Sequence, residues 1–186
     1  MKVQYFTACT MDGFIADENN SLDWLFEAPH SEGDTFWDEW FPGVGGLVMG
    51  ATTYEWYVGR YGLGPEQWRE FYGDRPGWIL SHREPALIPG VDLTLVEGDV
   101  RPVHAEAAEA CGDKDLWLVG GGDLVGQFYD ADLLDELIIQ FAPVTLGGGA
   151  PVLPRRITSK NLAFRDASLL GQRLRVRLDV VRTESN

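Results

Sequence analysis

From Leu116 to Phe128 the chain reads Leu-Trp-Leu-Val-Gly-Gly-Gly-Asp-Leu-Val-Gly-Gln-Phe, an apolar run that passes through three glycines into a helix-like segment. Four consecutive apolar residues, Leu116 to Val119, leave no side for solvent and so fit a strand covered on both faces. Gly120, Gly121 and Gly122 carry no Cβ, so a ligand can come close to the backbone. The helix that opens after them directs unpaired N–H groups and the positive end of its dipole to the same place. A phosphate suits this arrangement, and a tight strand-to-helix turn with nothing bound explains the glycines equally well. Val125 stands where a complete G-x-G-x-x-G would have its third glycine, and no Gly-Lys-Ser/Thr follows.

The other segments alternate strand-like and helix-like around this unit. Val3 to Cys9 forms a strand that enters a loop with the turn Asp12-Gly13. Asp34 caps a short helix placing Phe36, Trp37, Trp40 and Phe41 on one side, and Pro42-Gly43 stops it. Leu47 to Met49 is a buried strand, Gly50 a break, and Thr52 or Thr53 the cap of a helix running through Glu55 and Tyr57. Glu66 to Tyr72 reads as a helix and Trp78 to Leu80 as a strand, with Ser81-His82-Arg83 at its carboxyl end. A strand over Asp92 to Val96 precedes a helix with Pro102 in its first turn and Cys111 at its end. Leu134 to Phe141 is a strand and Thr145 to Pro154 a loop. Leu162 to Leu170 and Arg173 to Arg182 form an antiparallel hairpin about Gly171-Gln172.

The expected architecture is α/β, one domain over residues 1–186: a mainly parallel mixed sheet of about eight strands, four or five helices on both its faces, and the hairpin at its end. Ligands of such sheets gather at the carboxyl ends of the strands. Here those ends are Ala8 to Gly13, Gly50 to Thr53, Leu80 to Arg83 and Gly120 to Gln127. Two glycine-preceded helix N-termini, a hydroxyl and two basic groups suit an extended ligand with several phosphates, and a dinucleotide is the economical choice.

Composition narrows the class further. Apolar residues make up 45% of the 186, including 7 Trp, so the chain buries a core. A formal charge of −14 repels nucleic acid and anionic membranes, and neither is expected as a partner. Cys9 and Cys111 make no disulfide framework, and neither a signal peptide nor an apolar run of membrane length is seen, so the expected location is the cytoplasm. His104-Ala105-Glu106 matches the H-x-E of zinc deaminases, but Cys111 is followed by Gly112-Asp113-Lys114 and not by a second cysteine, so no metal site is expected. His30, beside Pro29, reads as a loop residue.

With those motifs in order, the chain resembles the dihydrofolate reductase-like superfamily, and within it the C-terminal reductase domain of the bifunctional riboflavin-biosynthesis deaminase-reductases and their stand-alone relatives. Val119-Gly120-Gly121-Gly122 with Gln127-Phe128 resembles the family's pyrophosphate motif. Val48 to Glu55 resembles its second cofactor motif, with Thr53 at the phosphate-binding threonine, and Leu80-Ser81-His82-Arg83 resembles the segment around the adenosine 2′-phosphate. Thr10-Met11-Asp12-Gly13 is similar to the riboflavin branch's Ser-Leu-Asp-Gly, and Pro143 to Gly147 with Gly149 and Pro151 to its late loop. The resemblance implies a three-layer αβα fold, a homodimer, and hydride transfer from NADPH to a heterocyclic, imine or carbonyl substrate. By it the cofactor meets Ala8, Ile15, Gly50, Thr52, Thr53, Leu80, Ser81, His82, Arg83, Val119, Gly120, Gly121, Gly122, Asp123, Leu124 and Gln127.

On the substrate side, folate reductases bury a carboxylate on the helix after the first loop, and Asp34 and Asp38 are the catalytic candidates by position, with Glu39 beside them. Phe6, Trp24 and Gln140 are the candidate substrate contacts. Trp24 is favoured because it reads as a loop residue with no helix period to bury it, while Trp37, Trp40 and Trp56 could also stack on a planar substrate. The chain departs from the riboflavin branch at Phe6 and Gly120, where relatives carry Lys and Glu, and at Ala51, where they carry Arg. Two other readings stand beside reduction of a riboflavin precursor: a dihydrofolate or pterin reductase, and a nucleotide-binding relative without catalysis. An open, polar pocket beside Ala8 suits a reductase; one filled by Phe6, Trp24 and Phe36 suits the non-catalytic relative.

Overall fold

The computed structural model describes residues 1–28, 33–62 and 64–182; His30 lies outside them. In chain order the elements are β1 (Val3–Thr10), β2 (Phe14–Ala16), α1 (Asp23–Glu27), α2 (Phe36–Trp40), a 3₁₀ turn (Phe41–Gly43), β3 (Val44–Gly50), α3 (Ala51–Tyr61), α4 (Pro65–Tyr72), β4 (Gly77–Leu80), β5 (Leu93–Val96), α5 (Val100–Cys111), β6 (Asp115–Gly120), α6 (Gly122–Asp130), β7 (Glu136–Ala142), β8 (Ala150–Pro151), β9 (Leu162–Leu170) and β10 (Arg173–Val180). Eight strands make one sheet in the order β5-β4-β3-β6-β1-β7-β10-β9, and β2 pairs with β8 in a small separate one. From β5 to β7 neighbouring strands run parallel; β10 is antiparallel to both β7 and β9.

The period-two side-chain alternation of strands separates the two layers. Leu116 and Leu118 of β6, with Val3 and Tyr5 of β1, pack against Val103 and Ala107 of α5 and Leu124 and Phe128 of α6. Trp117 and Val119, with Leu47 and Met49 of β3, face the other way onto Tyr54 of α3 and Trp68 and Tyr72 of α4. β6 is therefore buried on both faces, as its apolar run requires.

Four local expectations are corrected. β3 begins at Val44, three residues before the apolar run, because Gly45 and Gly46 extend it where side chains would not fit: a Cβ on Gly46 would lie 2.8 Å from Cys111 Sγ and 2.9 Å from the Trp78 ring. Neither Thr52 nor Thr53 caps α3; β3 passes straight into the helix through Gly50 at ψ 156°, and both threonines fall in the first turn. Asp34 precedes the N-cap Thr35, although it still accepts the Phe36 N–H at 3.0 Å. Trp24 lies on the five-residue α1, a helix too short for periodicity to reveal, and is buried against Ala8, Ala28 and Ala142.

The chain between β7 and β9 folds back over the first loop as a strap. Asp12 anchors it: the carboxylate accepts the Thr10 hydroxyl at 2.5 Å and the backbone N–H groups of Leu146 and Gly147 at 3.0 and 2.7 Å. These hydrogen bonds, the one from Thr10 foremost, hold the Asp12 carboxyl below its ordinary range. A carboxylate with a depressed folded-state pKa adds stability above its unfolded value, about 3.9, and that stability is lost as pH falls through the folded value. Asp12→Asn should lower the urea midpoint at neutral pH and leave a shallower acid limb than the native chain in a midpoint-against-pH series. Superimposable acid limbs would show that Asp12 does not hold the strap.

Candidate functional site

The carboxyl ends of β3, β4 and β6 and the side of β1 open into one cleft of about 520 Å³. Two helices point their N-termini at it. α3 follows Gly50 and α6 follows Gly121, and neither helix has a side-chain cap, so first-turn backbone N–H groups at each end are left for an anion. Between them Gly120 and Gly121, joined by a cis peptide, face Thr53: a Cβ on Gly120 would lie 3.5 Å and one on Gly121 4.0 Å from the Thr53 hydroxyl. The glycines thus leave a groove at backbone level with a hydroxyl at its side.

Beyond the β4 end stand Ser81, His82 and Arg83. The Arg83 guanidinium meets Glu55 at 2.6 Å and Thr52 Oγ1 at 3.4 Å, and His82 Nδ1 is 3.5 Å from Glu97. Asp123, in the first turn of α6, accepts from Gln127 at 3.1 Å and from Arg155 at 3.1 Å, and these two bonds hold its carboxyl below the ordinary range. At the opposite end the cleft runs along α3 to Trp56 and Tyr57, one turn past Thr52 and Thr53, and is closed by Thr7, Ile15, Asn20 and Leu22.

The fifteen residues from Ile15 to Gln127 assigned to a cofactor from the sequence all line this cleft; Ala8 does not. Its side chain faces Trp24 in the neighbouring cluster, whereas Thr7, pointing to the other side of β1, takes its place in the lining. The substrate candidates are not brought there. Phe6 lies 4.8 Å from the Trp40 ring and 5.5 Å from the Phe36 ring, and Trp24 packs on Ala8, so the space beside Ala8 is filled as expected of the non-catalytic relative, and the open space lies instead on the Thr7 side of β1. Gln140 sits on β7 opposite Ala8 and Arg175, and Trp24 is in the core.

The two catalytic candidates are likewise placed elsewhere. Asp38 is exposed on α2. Asp34 receives Arg175 at 2.9 and 3.0 Å; burial pushes its carboxyl up, but the hydrogen bonds from Arg175 and Phe36 and the charges of Arg175 and Arg173 outweigh this and hold it below its usual range. A carboxylate so held is a poor proton donor at neutral pH. Both cysteines are buried, and burial disfavours their thiolates: it pushes Cys9 up to about 12, with the nearby Asp12 adding to it, and raises Cys111. Among the lining residues, the sequence did not point to Thr7, Asn20, Leu22, Tyr57 or Gly98 as site residues; Tyr57 carried a signal in its i+4 spacing from Thr53, and Pro151 was noted only as part of the late loop.

The strap forms the wall behind α6. A Cβ on Gly122 would collide with the Pro151 carbonyl oxygen and lie 2.6 Å from that of Val152, both backbone atoms. Gly121, at φ −82°, has only ordinary contacts around its Cβ position. Gly122→Ala should therefore cost about 1–3 kcal/mol of stability by overpacking, while Gly121→Ala stays within about 1 kcal/mol of the native chain in chemical denaturation. Equal losses would contradict this account of the wall.

Comparison with known proteins places this geometry among reductase folds. The profile described as the RibD C-terminal domain matches residues 75–176. The uncharacterised Bacillus subtilis protein YwjB is 28% identical over 171 residues, 92% of this chain and 93% of its own. A protein of Shewanella sp. PV-4, provisionally named for riboflavin biosynthesis, superposes with TM-score 0.78 at 28% identity, covering 98% of this chain and 100% of that one. Dihydrofolate reductase from Enterococcus faecalis, solved with NADP(H), superposes with TM-score 0.60 at 17% identity over 96% of both chains, so the fold is dihydrofolate reductase-like.

Proposed function

The chain belongs to the RibD C-terminal domain family, and on that premise we propose that it is an NADPH-dependent reductase, of the riboflavin-biosynthesis type, that transfers hydride to a heterocyclic, imine or carbonyl acceptor. One observation carries the reading: two glycine-preceded helix N-termini converge on a groove whose floor has no Cβ, with an arginine at one end. Backbone N–H groups of α3 and α6, with Thr53, would hold the pyrophosphate, and Ser81, His82 and Arg83 the 2′-phosphate. The groove fits such a group because side chains at Gly120 and Gly121 would take up its space. NADPH supplies a hydride; with one proton from solvent the acceptor C=N or C=O becomes CH–NH or CH–OH, and NADP⁺ is left. Ile15 and Thr7 would border the reacting end and keep water from it. Folate reduction is the weaker reading, since the carboxylate it requires is held by Arg175.

Calorimetric titration with NADPH, NADP⁺ and NADH tests this. NADPH should bind at micromolar or tighter affinity, and Gly121→Asp, which fits sterically but adds a charge to the groove, should weaken it at least about 100-fold. Arg83→Gln should weaken NADPH about tenfold while leaving NADH nearly unchanged. Failure of all three nucleotides to bind would end the reductase reading, and NADPH binding without oxidation by any acceptor would leave the non-catalytic one.

The proposal extends to a homodimer. β9 is an unpaired sheet edge, and Phe164 and Leu169 on it are 79% and 74% exposed, which supports burial against a second copy. Sedimentation should give a dimer at micromolar concentration and a monomer for Phe164→Glu/Leu169→Glu. A monomeric native chain would rule this out.

A further inference from the structure

We infer that the hydroxyls of Tyr5 and Thr7 form a donor chain that ends in the cleft, and that Thr7 donates to the carboxamide oxygen of the nicotinamide; this deepens the reductase reading and rests on it. On that reading the dinucleotide runs from Ser81, His82 and Arg83 after β4, past the helix N-termini that follow β3 and β6, toward β1, the next strand of the sheet. Thr7 and Ile15 line the cleft at that end. Ile15 Cδ1 lies 4.0 Å from the Cβ position of Gly121, so these residues border the place where the ring arrives.

Strand alternation puts Val3, Tyr5, Thr7 and Cys9 on one face of β1. Tyr5 is fully buried there, in the apolar cluster that includes Leu118, Val125 and Phe128, and its hydroxyl makes no hydrogen bond of ordinary geometry. Burial pushes its pKa up, and the Thr7 hydroxyl beside it pulls the other way. The phenol therefore stays protonated, and the oxygen placed to take its hydrogen is that of Thr7. Cys9, which also acts on it, is a thiol kept protonated by burial. Thr7 is itself weakly engaged: its hydroxyl reaches the carbonyl of the adjacent Ala8 at 3.3 Å, against about 2.7–2.8 Å for an ordinary O–H···O bond.

The order of the two hydroxyls sets the polarity of the chain. A hydroxyl has one hydrogen to give and lone pairs to receive others. With the Tyr5 hydrogen taken up by Thr7 Oγ1, Thr7 has its own hydrogen left, and the cleft is its open side. The cleft therefore presents a donor there and selects an acceptor. In the nicotinamide the carboxamide carbonyl is that acceptor, because the ring nitrogen is bonded to ribose and has no lone pair free. Seating the carbonyl against Thr7 completes the hydrogen bonding of two hydroxyls that the fold alone leaves short of it. It also fixes the rotation of the ring, which decides the face presented to an acceptor. Thr7 is the contact and Tyr5 a positioning residue that acts through it.

The test is calorimetric titration of the full chain, Thr7→Val, Thr7→Ser and Tyr5→Phe with NADP⁺, with its thionicotinamide analogue, whose C=S is a poor acceptor, and with 2′-phospho-ADP-ribose, which lacks the ring. Thr7→Val should weaken NADP⁺ about tenfold and Tyr5→Phe about threefold, with Thr7→Ser near native. The native chain should prefer NADP⁺ to the thio analogue by about tenfold, and Thr7→Val should lose that preference. All four proteins should bind 2′-phospho-ADP-ribose alike, which also reports that the variants are folded. Tyr5→Phe should unfold at a temperature no lower than the native chain, since it removes a buried hydroxyl without a full partner. Unchanged NADP⁺ affinity in Thr7→Val, an equal loss of 2′-phospho-ADP-ribose, or a thio preference that survives the substitution overturns the inference while the cofactor cleft stands. A native chain that binds none of the three compounds ends the reductase reading and this inference with it.

Discussion

A strand buried on both faces has no position for a polar side chain, and that constraint on β6 determines much of what surrounds it. Leu116 and Leu118 require one helical layer, Trp117 and Val119 another, and its two parallel neighbours, β1 and β3, must be reached by crossovers. The ligand cleft is a consequence of the same geometry. Where β6 ends, the helical layers lie to either side and nothing continues the sheet, so the backbone at Gly120 to Gly122 faces open space with a helix N-terminus on each flank. Packing and the proposed cofactor site meet at one turn.

That turn is closed from behind by the strap. Two contacts of different kinds hold it: the Asp12 carboxylate on the backbone of Leu146 and Gly147, and the van der Waals contact of Pro151 and Val152 with Gly122. Arg155 adds a third, lying across Gly126 to reach Asp123 and Asp130 at 3.1 and 2.7 Å. Each attachment joins the strap to an element that also lines the cleft, so the position of α6 relative to β1 is set by residues distant from both in sequence.

Much of this was legible from the amino-acid sequence because it depends on local signals. The apolar run, the glycines and the strand-to-helix order identify β6–α6 and β3–α3, and the family resemblance carried by those motifs names fifteen residues that line the cleft. What escaped depends on tertiary neighbours. The start of β3 at Gly45 and Gly46 is explained by Cys111 on a distant helix, and Trp24 is buried on a helix one turn long. The substrate candidates were chosen by position along β1 and α2, but a strand sends adjacent side chains to opposite faces, so Phe6 joins the aromatic cluster while Thr7 reaches the cleft. Asp34 escaped for another reason: its partner Arg175 lies 141 residues away on β10.

Arg175 belongs to a pattern that bears on how the cleft must work. The chain has 15 Lys and Arg against 29 Asp and Glu, and many of its arginines are committed to the frame. Arg165 and Arg177 converge on the buried Glu136, which Gln4 also contacts at 2.9 Å and links on to the Trp40 indole; Arg75 donates to the carbonyls of Phe41, Tyr72 and Val44. Burying a carboxylate such as Glu136 is tolerable only with such partners, and removing one leaves the other charge unpaired. Cations spent in this way are absent from the cleft, where Arg83 itself shares its charge with Glu55. On the proposed reading, anion recognition in the middle of the groove would fall to backbone N–H groups, which carry no counter-charge to satisfy and need only glycine to be reached.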